Sequence, residues 1–262
     1  MDRPELWLAL VIGNSRLHWA QFRGDRLQKT WNTSHLSGSP THLCSQSREE
    51  FLDQEKTEWL MESCEIWIAS VVPSQNPYWE SNPNAHFISL QSVPLKGMYP
   101  TFGIDRALVL WGAIQAVGGP ALVIDAGTAL TFTAADGHHQ LVGGAILPGF
   151  SLQFRSLGEA TAALPIYPST PPIHPSSPRW ALNTEDAIAS GIIHTLVAGI
   201  QSFVEDWWQQ FPGSAVVMTG GDGELLHQWI KQRSPKLASG IHLNPQLIFA
   251  GIQAVRNQDR RE

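Results

Sequence analysis

Cysteine is nearly missing from this chain: Cys44 and Cys64 are the only two in 262 residues. They fit no metal-ligand spacing and are too few for a disulfide framework. A single pair of thiols in a chain this long reads as reduced, which points to the cytoplasm. Charge is sparse as well, at 15% of residues, with 17 basic against 23 acidic side chains and a net charge of −6. No cluster of Lys and Arg forms a stripe, so no nucleic-acid partner is expected. The apolar runs fall far short of the roughly 20 residues that cross a bilayer, so no membrane segment is expected. The opening stretch "MDRPELWLALVIGN" lacks the charged start, apolar block and small-residue cleavage site of a secretion signal.

What is present is apolar bulk. Hydrophobic residues make up 43% of the chain, enough for one large core or two ordinary ones. Leu6 to Ile12 reads as a buried strand, and Arg16 to Phe22 alternates, setting Leu17, Trp19 and Phe22 against a core. "RGDR" at 23–26 is a turn signal before a third strand from Leu27 to Thr33. A loop is expected over 34–46, an amphipathic helix over 47–62, and strands at 65–72 and 85–90. Helical periodicity marks 103–117, 184–211 and a terminal helix at 244–255, while 215–230 reads as strand, glycine turn and helix. Between Pro165 and Pro178, six prolines in fourteen residues exclude helix and strand.

The stretch 121–146 repeats the order of 6–33: apolar strand, small polar turn, alternating strand, tight turn, apolar strand. Aligning Gly13 with Gly127 sets the copies 114 residues apart. A repeat of that length implies two similar α/β halves, each holding a hairpin loop at the end of its first strand, with the two loops facing one cleft. Turns built of Gly, Asn, Ser and Thr offer backbone N–H groups and hydroxyls, which suit phosphate oxygens. Gly13 lets the backbone approach closely, Asn14 and Ser15 add side-chain donors, and Gly127 with Thr128 repeats the arrangement. In "TGGDGELL" (219–226) Gly220 and Gly221 precede a helix, and helix N-termini also favour phosphate.

Three further residues stand out. Asp125 ends a wholly apolar strand, where a carboxylate costs desolvation unless it caps the turn or holds a cation. Asp105 and Arg106 follow Gly103 at the start of a helix. There Asp105 either complements the helix dipole or acts as a general base, and the Arg106 fork suits an anionic group. Thr184 is either an N-cap or a ligand contact.

These residues, taken in series, resemble the type III pantothenate kinases of the acetate and sugar kinase/Hsp70/actin superfamily. The matching segments are "VIGNS" at 11–15, "GIDR" at 103–106, "DAGTALT" at 125–131 and "GGAILPGFSLQFRSLGEATAALP" at 143–165. They continue with "NTEDAIASG" at 183–191, "TGGDG" at 219–223 and "NPQLIFAGI" at 244–252. The resemblance implies an α/β protein of two ribonuclease H-like (actin-like ATPase) lobes, with mixed central sheets flanked by helices and a cleft between them. The lobes would cover 1–110 and 111–262. It implies transfer of the γ-phosphoryl group of ATP, carried with Mg²⁺, to the terminal hydroxyl of pantothenate, the first step of coenzyme A synthesis. Val11, Ile12, Gly13, Asn14, Ser15, Arg16, Leu17 and His18, with Thr128, would contact ATP. Asp105 would take the hydroxyl proton. Gly103, Ile104, Asp105, Arg106 and Thr184 would line the pantothenate site, with Tyr99 the nearby candidate for a substrate-binding tyrosine. Asp125 would hold a monovalent cation, potassium or ammonium. The protein would be a homodimer whose substrate site is completed across the interface.

One departure is plain. The family's first motif usually opens with Asp, and this chain has Val11 in that slot. Two readings follow: a working kinase in which Asp105 or Asp125 suffices to place the metal, or a nucleotide-binding regulator with weakened turnover. The retention of Asp105, Arg106, Asp125, Thr128 and Thr184 favours the kinase.

Overall fold

A computed structural model describes residues 5–36, 64–166 and 179–261. The helix expected over 47–62, Cys44, residues 37–46 of the expected loop and residues 167–178 of the proline-rich stretch lie outside the described residues. The chain packs as two compact units: 1–94, 98–112 and 248–262 make the first, 95–97 and 113–247 the second. The first packing unit is assembled from three chain segments.

In the first unit, β1 (Leu6–Ile12), β2 (Leu17–Arg23) and β3 (Arg26–Thr33) form an antiparallel meander. β1 also pairs in parallel with β4 (Glu65–Ser70), and β4 with β5 (Ala85–Phe87), which follows the short helix α1 (Pro77–Glu80). The order is therefore β3-β2-β1-β4-β5. β1 is central and all but its first residue is buried, which explains a run of seven apolar residues without alternation. Leu8, Leu10, Ile12, Leu17, Trp19 and Trp79 fill one face. Phe22, expected on that same core, is buried on the opposite face, where it stacks on Trp7 at 4.2 Å. The pleat decides this, because residues 17 and 19 share a face and residue 22 does not.

Helix α2 (Ile104–Val117) carries the chain out of the first unit. The second unit holds β6 (Ala121–Ala126), β7 (Ala129–Ala135), β8 (Leu141–Pro148), α3 (Phe150–Ala160) and α4 (Thr184–Gln210). Then come β9 (Ala215–Thr219), α5 (Gly223–Arg233), α6 (Pro235–Ser239) and β10 (Ile241–Leu243). Its order, β10-β9-β6-β7-β8, with β6 parallel to β9 and antiparallel to β7, reproduces the first sheet strand for strand. The repeat seen in the sequence is thus a repeat of topology.

Some elements were not expected. Helix α3 has Phe150, Phe154 and Gly158 buried at a spacing of four, a narrow apolar stripe inside a glycine-rich segment. The terminal helix α7 (Leu247–Asp259) starts three residues later than expected, because the Asn244 side chain accepts from the Gln246 N–H and holds a turn there. Helix α4 is long and apolar enough to cross a bilayer by length and composition. Ile188, Ile192, Leu196, Ile200, Val204 and Trp207 nevertheless line one buried stripe of it in the core of its unit, the pattern of a core helix.

The return of the last helix to the first unit has a visible cause. A Cβ at Gly251 would overlap the Leu108 carbonyl of α2, so the two backbones touch. Arg256, its side chain 4% exposed, lies over the Trp7 ring and pairs with Glu5 and Glu65 at 3.2 Å. Burial works against the charge of Glu65, but hydrogen bonds from Arg260 and Trp67 and the Arg256 charge outweigh it and hold its pKa below the usual carboxylate range.

Candidate active site

In the first unit, β1 and β2 close on the turn 13–16. Gly13 donates its N–H to the Arg16 carbonyl at 3.1 Å, leaving Asn14 and Ser15 exposed at the apex. The Gly13 carbonyl accepts from His35 Nε2 at 2.7 Å. Both polar groups of Gly13 are therefore committed within the protein. The glycine's contribution to a ligand is its bare Cα, not the open N–H the sequence suggested. Ile12 and Leu17 are fully buried, so only their backbone can face a ligand. His35 was not singled out from the sequence, because it lies 22 residues from Gly13 beyond the third strand.

Val11 is 5% exposed and sits opposite His18 in the β1–β2 register. Opposed residues share a face. The His18 Nε2 edge reaches over Gly13, 3.4 Å from where a Cβ would stand. His18 Nδ1 meets Asn32 Oδ1 at 2.7 Å. An amide oxygen only accepts, so Nδ1 carries the proton and Nε2 of the neutral ring presents a lone pair toward the turn. Burial lowers the His18 pKa, and the Arg16 charge adds to this, against the Asn32 hydrogen bond.

In the second unit the corresponding turn is 127–128. Gly127 donates to the Ala129 carbonyl at 3.1 Å, in the ladder position Gly13 holds in the first. Two glycines from distant motifs back this turn. Gly149 donates to the Thr128 carbonyl at 2.9 Å, and a Cβ there would overlap the Gly127 carbonyl. Gly220, at φ +89°, leaves no room for a Cβ, which would stand 2.5 Å from the Ala126 carbonyl and from Asp125 Oδ1. Asp222 then donates its N–H to the Ala126 carbonyl at 2.9 Å, and burial raises the pKa of its carboxyl. Asp222 is a half-buried acid beside the turn that sequence reasoning passed over, since a residue in a glycine-rich turn reads as a cap.

Asp125 is half-buried and faces Thr131 across the β6–β7 ladder. Thr131 Oγ1 is buried with no hydrogen-bond partner. An anionic oxygen beside an unsatisfied hydroxyl suits a monovalent cation, which takes oxygen ligands. Among the described residues, no three His, Cys, Asp or Glu side chains group as a metal cage.

Asp105 opens α2 in the first unit, where its Oδ1 accepts from the Arg106 N–H at 2.8 Å. A Cβ at Gly103 would stand 2.5 Å from that same oxygen, so the glycine is what permits this carboxylate position. Arg106 is buried, stacks on the Phe102 ring at 4.8 Å and donates from Nη1 to Tyr99 Oη at 3.0 Å. Tyr99 packs edge-on against Phe102 at 5.2 Å. The structure thus brings Tyr99, Arg106 and Asp105 to the start of one helix. Gly103→Ala is expected to push the Asp105 carboxyl aside and cut kcat about tenfold or more, while moving stability by less than about 1 kcal/mol. Steady-state kinetics alongside thermal melting check this, and an unchanged kcat overturns it.

Thr184 is exposed in the first turn of α4. The helix cap is Asn183, whose Oδ1 accepts from the Asp186 N–H at 2.9 Å. Thr184 is therefore not the cap, which removes the structural alternative for its hydroxyl.

A family model described as type III pantothenate kinase matches residues 7–206. The chain is 48% identical over 259 residues to a type III pantothenate kinase of Nostoc sp., with 95% of this chain and 94% of the relative covered. It is 40% identical to the one of Synechocystis sp., with 99% and 93% covered. Among solved structures, a Baf family protein from Campylobacter jejuni described as a transcriptional activator superposes with a TM-score of 0.62 at 20% identity, covering 97% of this chain and 100% of that one. An activator of 2-hydroxyisocaproyl-CoA dehydratase from Clostridium difficile, with bound ADPNP, gives 0.55 at 14% identity, covering 97% and 95%. These two likenesses speak for the fold alone, two mixed sheets flanked by helices of the actin-like ATPase and sugar kinase type.

Proposed function

The chain belongs to the type III pantothenate kinase family, and from that premise we infer how its residues divide the phosphorylation of pantothenate by ATP. The reaction is the first step of coenzyme A synthesis, and ATP enters it with a divalent metal. Mg²⁺, when bound, neutralises charge on the phosphates. On the first unit the 11–18 turn offers the nucleotide the bare Cα of Gly13 and the exposed Asn14 and Ser15 side chains, and on the second unit Thr128 is the residue that contacts ATP. Asp105 accepts the proton of the attacking hydroxyl, because its carboxyl is fixed by one local hydrogen bond and by the space above Gly103. Arg106 and Tyr99, already joined, meet the pantothenate carboxylate, with Gly103 and Ile104 beside them on the first unit, and Thr184 is the second unit's substrate-contacting residue. The observation that carries this reading is the Asp105–Arg106–Tyr99 constellation.

Asp125 with Thr131 holds the monovalent cation, potassium or ammonium. The active form is a homodimer, supported by the apolar residues Val142 and Ile146 exposed on one face of edge strand β8. The enzyme works in the cytoplasm, in keeping with its free, buried Cys64.

The test is ADP formation with ATP, pantothenate and Mg²⁺, run in potassium and in sodium. Pantothenate-dependent ADP, reduced in sodium, is expected. ATP binding without pantothenate-dependent ADP would favour the regulator instead.

Val11→Asp gives a second expected outcome. It places a carboxylate beside His18 and the 13–16 turn, and should lower the Mg²⁺ concentration for half-maximal rate severalfold. An unchanged metal titration would show that this slot does not face the metal.

A further inference from the structure

In the second unit, two donor side chains meet far from the glycine turns, and the charge of a third acts on both. Arg233 ends α5 and His194 lies on α4, with Arg233 Nη2 3.3 Å from His194 Nε2. A guanidinium only donates, so His194 Nε2 accepts and the ring proton sits on Nδ1. That Nδ1 is buried without a partner, and so is Arg233 Nη1. Arg179 is the third member. Its carbonyl accepts from Ser190 Oγ at 2.7 Å, and Ser190 is one turn from His194 on α4. Arg179 itself is exposed, so the group is reachable from solvent on that side.

Among the described residues, no Asp or Glu bonds to any of the three. Burial, together with the Arg233 and Arg179 charges, lowers the His194 pKa, which agrees with the neutral tautomer that the hydrogen bond requires. A single cation in the last turn of α5 would be explained by the helix dipole. A second guanidinium and two unsatisfied donors are not. Water could satisfy the donors but would leave two positive charges, near enough to act on each other, unbalanced. An oxyanion satisfies both demands.

We propose that Arg179, His194 and Arg233 form a binding site for a small oxyanion, a phosphoryl or carboxylate group. α5 spans 11 residues from Gly223 to Arg233, so the site lies about 15 Å along the helix from the glycine turn at its start. It is a second site, distinct from the nucleotide turn.

The experiment is thermal melting and calorimetric titration of the full chain with inorganic phosphate, and separately with acetate, against potassium chloride at matched ionic strength. Saturating Mg·AMPPNP occupies the nucleotide turn throughout, so success or failure here does not depend on the kinase reading. Wild type is expected to melt higher in phosphate or acetate than in chloride, and the better of the two identifies the preferred group. Arg179→Gln, which leaves the core untouched, and Arg233→Gln should each weaken that affinity at least fivefold. No rise over chloride in wild type overturns the proposal, and so does an equal rise in both variants.

Discussion

Asp105→Asn is expected to lower turnover by about 10²–10⁴-fold, the usual contribution of a positioned general base. The fold should survive, because an Asn Oδ1 can accept from the Arg106 N–H as the carboxylate does at 2.8 Å. What Asn cannot do is take a proton from the pantothenate hydroxyl. KM for ATP should move little, since Asp105 is assigned to the acceptor and not to the nucleotide. The measurement is kcat and both KM values, with a melting curve as the fold control. A kcat within a few-fold of wild type in a folded variant would remove Asp105 as the base and leave it as a residue that complements the α2 dipole.

The second large effect is expected at Gly220. Its φ of +89° is costly for a β-branched residue, and a Cβ would stand 2.5 Å from the Ala126 carbonyl and Asp125 Oδ1. Gly220→Val must either strain the backbone or drive the 125–128 turn away. Strain of this kind with backbone overlap amounts to about 3 kcal/mol or more, hence a melting temperature lower by roughly 6–12 °C. Because the displaced groups include Asp125, the potassium response should be lost even where the variant remains folded. Gly221→Ala is the matched control: a Cβ there meets nothing within 4 Å, so it should melt within about 2 °C of wild type. If the two variants melt alike, the close packing of 220 on the turn is not what holds it.

The two predictions differ in how visible their residues are in the sequence. Asp105 announces itself: an acid in a first helical turn, followed by Arg and with Gly two residues before it, is a local pattern. Gly220 is legible only as a turn residue, because its partner Ala126 lies 94 positions away. The same divide runs through the rest of the site. Gly13, Gly127, Asn14, Ser15 and Thr128 could be picked out by type and by the repeat. Tyr99 was a candidate only by nearness in sequence, and the structure joins it to Arg106 through a 3.0 Å hydrogen bond. His35, Asp222 and the Arg179–His194–Arg233 group carry no local signature. Val11 was visible as a missing carboxylate, but the His18 ring beside it depended on the strand register.

The sequence by itself determined every strand but β10, the two hairpins, the helices α2, α4, α5 and α7 and the repeated order of elements. Periodicity and turn chemistry act between residues a few positions apart, so they can be read from a local window. The tertiary structure alone decided that residues 248–262 pack with the first unit, that Gly149 and Gly220 close on one turn, and that Arg233 and His194 meet with donors left unsatisfied. Those outcomes depend on which distant surfaces exclude water together and which buried polar groups find partners. Such choices are fixed only once the whole chain has packed.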